Sequence, residues 1–152
     1  MTTVASSLRS YTLTLPPGLK LLNANQRVHH RVRAELTAAI RGAAMAACSE
    51  HDELRAALAV ANPGPVLQHA YLLGVLHPAS RRRIDPANLY PSFKALVDGV
   101  VDAGVLEDDN HTRVIGPDMR IGPLAKGGRL TLHIQELTPQ QHTAFKWQGE
   151  AA

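Results

Sequence analysis

Residues 10–16, SYTLTLP, place Tyr11, Leu13 and Leu15 on one side of an extended chain and Thr12 and Thr14 on the other. This period-two alternation predicts a strand with one buried face, ended by Pro16-Pro17-Gly18. After a loop bearing Asn23 and Asn25, the segment from about Arg27 to Cys48 holds no proline and no glycine before Gly42. Its wealth of Ala, Leu and Arg predicts the first long helix, with Val32, Leu36, Ala39, Ile40 and Ala43 as the apolar stripe. SEHDELRAALAVA, residues 49–61, fits either a second helix capped by Ser49 or the flank of a longer loop.

VLQHAYLLGVLHP, residues 66–78, joins alternation to a nearly continuous apolar centre and predicts a strand that Pro78 ends. A further helix is expected from Asp85, an N-cap before Pro86, to Ala103, with Gly104 closing it. Pro91 either kinks this helix or marks the start of its regular part. TRVIGP and RLTLHIQEL predict two more strands, the second entered through the Gly127-Gly128 turn. The order of elements implies an α+β fold: one compact domain over residues 1–137, a mixed β-sheet with helices packed against it. Residues 138–152, which include Trp147, are expected as a loosely held tail.

At 152 residues the chain is long enough to bury a core without covalent staples. Cys48 is the only cysteine, which excludes an intrachain disulfide and a Cys-rich zinc site and makes a reducing, cytoplasmic setting the expectation. The apolar runs are broken by charge well before the ~20 residues of a membrane span, and MTTVASSLRS lacks the basic-then-apolar order of a secretory signal.

Charge changes the picture. The formal net charge is +3, yet residues 85–109 carry −5, so the remainder carries +8, concentrated at Arg27/Arg31/Arg33, Arg81–Arg83 and Arg113/Arg120/Lys126/Arg129. Carboxylates that hold a metal, inside cations that hold phosphates, are the arrangement a metal-dependent nuclease needs; ordinary uneven surface charge is the alternative. In the helix expected from Asp85 to Ala103, Phe93, Leu96, Val97, Val100 and Val101 form the apolar stripe, while Lys94, Asp98 and Asp102 form one polar row. That row is compatible with an exposed salt-bridged face and with catalysis, where Lys94 would stabilise charge developing on a phosphate. Glu107, Asp108 and Asp109 repel one another; a Mg²⁺ ion would relieve this, and a solvated turn before a strand is the alternative. Aromatics make up only 4% of the chain, too few for a base-stacking platform. There is no Gly-rich nucleotide-binding loop and no Ser-His-Asp arrangement.

RRRIDPANLYPSFKALVDGVVDAGVLEDDN, residues 81–110, followed by KGGRL at residues 126–130, resembles the RusA family of Holliday junction resolvases, especially its phage-type members. The resemblance extends from YTLTLPPG to KGGRLTLHI. It implies a RusA-like fold and a small homodimeric endonuclease dependent on Mg²⁺, with Mn²⁺ as a substitute. Such an enzyme resolves four-way DNA junctions by paired symmetric nicks, through a metal-activated water. By position, Asp85, Lys94 and Asp109 take the catalytic roles; Asp85 and Asp109 are metal ligands, with Asp98 or Asp108 as a further one. Arg81, Arg82, Arg83, Asn88, Lys126 and Arg129 are the expected DNA contacts. Two departures stand out: Ala87 replaces the acid that usually precedes the Asn, and the step from Asn88 to Lys94 is six positions rather than three. They leave open a non-cleaving DNA-binding module, and the family likeness leaves open a phage nuclease for flaps and other branched DNA.

Overall fold

The computed structural model describes residues 7–145. Its strands are β1 (Ser10–Thr14), β2 (Ala70–His77), β3 (Val114–Ile121) and β4 (Arg129–Glu136). Its helices are α1 (His30–Glu50), α2 (Asp52–Ala61), α3 (Tyr90–Asp102) and the short α4 (Pro139–Ala144). The sheet order is β1-β4-β2-β3, with β4 antiparallel to both β1 and β2 and β3 parallel to β2. A parallel pair cannot be closed by a tight turn, so the chain between β2 and β3 crosses back through α3 and puts the arginine cluster and the acidic loop at opposite ends of that crossover.

The strand alternation does the work expected of it. Tyr11 and Leu13 of β1, Ala70, Leu72 and Leu76 of β2, and Leu130, Leu132 and Ile134 of β4 are buried, whereas Thr12, Thr14, His133 and Gln135 on the other face are exposed. α3 lies on the buried face. Phe93, Leu96, Val97 and Val100 are each at most 1% exposed, and the Phe93 ring occupies the space that a side chain on Gly74 of β2 would need.

α1 in turn crosses α3 at Gly99, where any Cβ would meet the carbonyl of Arg41 and the Ala44 methyl. This crossing decides which face of α1 is buried. Ile40, Ala44 and Cys48 are sealed, whereas Val32 and Ala39 of the expected stripe are exposed and Leu36 and Ala43 half-buried. An Ala-rich helix offers several stripes of similar apolarity, and the close approach to Gly99 selects the one ending in Cys48. Burial pushes the Cys48 thiol up to about 11, so it is an inert core group.

Other expectations are refined. Residues 49–61 do form a helix, but His51 rather than Ser49 caps it, its Nδ1 accepting from the Leu54 N–H. The long helix expected from Asp85 is two pieces: a 3₁₀ turn at Pro86–Leu89 and α3 proper, which begins with Tyr90 and Pro91. Pro91 stands in the first turn, where its missing N–H is harmless. Gly104, at φ +94°, ends α3 as expected; the Val105 N–H reaches the Val100 carbonyl and the Gly104 N–H that of Val101, the Schellman pair. The expected loose tail begins instead with α4, held by a Thr138/Gln141 capping box and by buried His142 stacked on His69. Trp147 lies outside the described residues. Among the described residues, no helix is long and apolar enough to cross a membrane.

The Asn-rich loop is tied to α3 by one buried side chain. Ser92 Oγ donates to the Leu22 carbonyl and accepts from the Leu22 N–H, both at 2.7 Å. Ser92→Ala would leave both backbone groups buried without a partner. A loss of about 1 to 3 kcal/mol is expected in urea unfolding, and a change below a few tenths would show that water replaces the hydroxyl.

Candidate functional site

The helix periodicity of α3 sets Lys94 and Asp98 one turn apart on the side away from Phe93. The Schellman turn at Gly104 then sends the chain back, with Val105 and Leu106 buried as an anchor, so that the acidic loop runs beside the helix. Lys94 Nζ lies 2.7 Å from Asp98 and 2.5 Å from Asp109. Two carboxylates therefore face each other across one ammonium. Burial acts to lower the Lys94 pKa, but the hydrogen bonds and charges of Asp109 and Asp98 outweigh it and hold the group above the ordinary lysine value. Lys94 is thus a permanent cation at neutral pH, suited to stabilising negative charge and unsuited to removing a proton.

The three adjacent acids find three separate partners. Glu107 pairs with Arg113 at 2.8 Å, and Asp109 pairs with Lys94. Asp108 turns into its own loop, accepting from the Asp109 N–H at 2.7 Å and the Asn110 amide at 3.0 Å. Those donors hold the Asp108 carboxyl below the ordinary carboxylate range. Asn110 then closes an Asx turn on the Thr112 N–H at 2.9 Å. Relief of the repulsion therefore comes from within the protein, by tertiary pairing that spacing alone does not reveal.

Asp85 stands elsewhere. It is exposed, at the start of the 3₁₀ turn, its Oδ1 capping the Ala87 N–H at 3.0 Å. Together with Asn88, Arg82, Arg83 and Asn23 it lines a shallow polar depression, and the Ala24 N–H donates to the Asn88 carbonyl there at 2.8 Å. Asp102, the third member of the polar row, leaves it to pair with Arg41 of α1; the guanidinium holds the Asp102 carboxyl below its ordinary value.

Among the described residues no three His, Cys, Asp or Glu side chains converge as a metal site. The expected set of Asp85 and Asp109 with Asp98 or Asp108 is thus not assembled among the described residues. Asp98 and Asp109 alone are brought together, with Asp108 next in the chain. That donor set fits a hard cation in the manner of Mg²⁺, which takes one or two carboxylates and completes its shell with water and phosphate oxygens.

Arg81, Arg82 and Arg83 are exposed on the loop after β2 and form no ion pair among the described residues. Lys126 is exposed beside the Gly127-Gly128 turn, both glycines of which have positive φ. Arg129 is half-buried, and its Nε is sealed without an acceptor. The KGGRL likeness marked Arg129 as a DNA contact; its missing partner is a tertiary property that no motif carries.

Neither models of known families nor curated proteins match this chain. The likeness to the RusA family therefore rests on the motif residues quoted above.

Proposed function

We propose that this protein is a metal-dependent, structure-selective DNA endonuclease, acting on four-way junctions. The observation that carries the reading is the Lys94 ammonium clasped by Asp98 and Asp109. It supplies a fixed cation and a pair of hard-oxygen ligands at one point, on the segment that also holds the unpaired Arg81–Arg83 ridge. In this reading Asp98 and Asp109 hold a Mg²⁺ ion, or Mn²⁺ in its place, whose chemistry is to activate water and neutralise charge on the scissile phosphate. Lys94 stabilises charge on the phosphate oxygens. Arg81–Arg83, Asn88 and Lys126 grip flanking phosphates, arginine through its bidentate fit, and Asp85 orients the turn that carries Asn88. Two copies related by a two-fold axis would nick opposing strands.

The test is incubation with a labelled synthetic four-way junction in Mg²⁺, Mn²⁺ or chelator, read on a denaturing gel. Metal-dependent nicks at symmetry-related positions are expected, and stronger cleavage of a flap would move the assignment to other branched DNA. Binding without nicks in either metal would instead favour a non-cleaving DNA-binding module. That second reading draws on the position of Asp85 apart from Lys94 and on Ala87 standing where an acid is expected.

A further inference from the structure

Beside the arginine ridge lies a pocket of about 270 Å³ that the cleavage reading does not use. Leu76 and Leu130, at most 2% exposed, form its floor, and half-buried Leu19 and Leu21 form part of its wall. The Gly127-Gly128 turn closes one side; the Gly18 N–H is bonded to both glycine carbonyls, at 3.1 and 3.2 Å, so this wall is braced. Into this apolar setting come two arginines, Arg82 and Arg129. Neither has an ion-pair partner among the described residues.

An unpaired guanidinium at a half-buried position is costly, since desolvation weakens its hydration and no carboxylate compensates. The Arg129 Nε carries the same sign of an incomplete site, being sealed with no acceptor. A ligand bearing a negative charge would pair with the guanidinium nitrogens that are not sealed. The volume lies just under the ~300 to 1,000 Å³ of pockets that enclose a drug-sized ligand, so the occupant is one small unit. Arg82 also lines the polar depression that holds Asp85 and Asn88. A chain of phosphates crossing the ridge at Arg82 would therefore pass the mouth of the apolar pocket.

We propose that this pocket receives one unstacked nucleotide, its phosphate between Arg82 and Arg129 and its base against Leu19, Leu21 and Leu130. The proposal rests on the reading of the protein as one that acts on branched DNA, since a nucleotide whose pairing is disrupted leaves the stack at lower cost than one in an intact duplex. The walls present side chains without base-edge donors apart from the arginines, so the site accepts any base.

Two titrations with wild-type protein in chelator test this. In the first, free 2-aminopurine deoxyribonucleoside monophosphate is followed by fluorescence anisotropy. In the second, a four-way junction carries 2-aminopurine either at the branch point or within a paired arm, and unstacking is read as increased emission. A rise in anisotropy is expected, together with an emission increase at the branch point only. Arg82→Gln and Arg129→Gln are each expected to weaken nucleotide binding at least tenfold; Arg82 is exposed, so its variant reports even if Arg129→Gln destabilises the fold. No anisotropy change, or one that both variants leave untouched, would overturn the pocket. Nucleotide binding without cleavage in Mg²⁺ would keep the pocket and sink the nuclease assignment; cleavage without nucleotide binding would do the reverse.

Discussion

Replacing Phe93 by alanine is expected to cost about 3 to 5 kcal/mol, as for other fully buried aromatic rings. The ring is 0% exposed, and the notional Cβ of Gly74 would come within 2.5 Å of it, so it fills a hollow that the glycine leaves in the middle of β2. Leu72 and Leu76 stand two residues away on the same face of a paired strand, and the backbone there cannot collapse into the void. Domains of this size have only ~5 to 15 kcal/mol of stability. Phe93→Ala should therefore lower Tm by roughly 6 to 20 °C, measured by circular dichroism, with a matching drop in urea midpoint. Phe93→Leu should recover more than half of the loss. A Phe93→Ala protein within 1 kcal/mol of wild type would mean that α3 does not dock through this ring.

The second large effect concerns chemistry. Lys94→Met and Asp109→Asn are each expected to reduce single-turnover junction cleavage by about 10²-fold to 10³-fold, the usual result of removing one positioned group from a site that stabilises developing charge. Stability should hardly move, because the side chains of the Lys94–Asp109 pair are 41% and 24% exposed and such pairs contribute about 0 to 1 kcal/mol. Junction affinity in chelator should also persist, since in the proposed reading the unpaired arginines would supply the phosphate contacts. The combination is diagnostic: unchanged Tm and binding with cleavage lost assigns these residues to the reaction, whereas equal cleavage by both variants and wild type removes the site. Raising the pH to 9 should not by itself abolish the Lys94 contribution. Its folded pKa is raised, so the charge is fully present below the ordinary lysine value and is lost only above it.

The acidic loop illustrates how far sequence reasoning reaches. Glu107, Asp108 and Asp109 were legible as a charge cluster next to a helix that ends at Gly104. Which acid meets Lys94 was not legible from the charge pattern, and only the family likeness pointed to Asp109, because the pairing depends on how the Schellman turn releases the chain and on Leu106 being buried at 2% exposure. The same holds for Asp85. Its N-cap role was legible from Asp-Pro, and the structure bears that out in the Ala87 N–H bond; that it joins no cluster with Asp98 and Asp109 among the described residues is a tertiary outcome that spacing does not carry. In α1 the periodicity located a helix within a few residues of its ends, but apolar alanines on several sides left its buried face to be chosen by the Gly99 crossing.

Local chemistry thus determined the elements of this protein: alternation wrote the strands, Ala-rich composition wrote α1, and Gly104 wrote the end of α3, because these signals act through bonds and neighbours a few residues away. Tertiary structure alone decided the sheet order, the clasp of Lys94 by Asp98 and Asp109, the exit of Asp102 to Arg41, and the isolation of Arg129. Each of these depends on groups far apart in the chain, and the energy that selects among them is packing and desolvation, which no window of sequence contains.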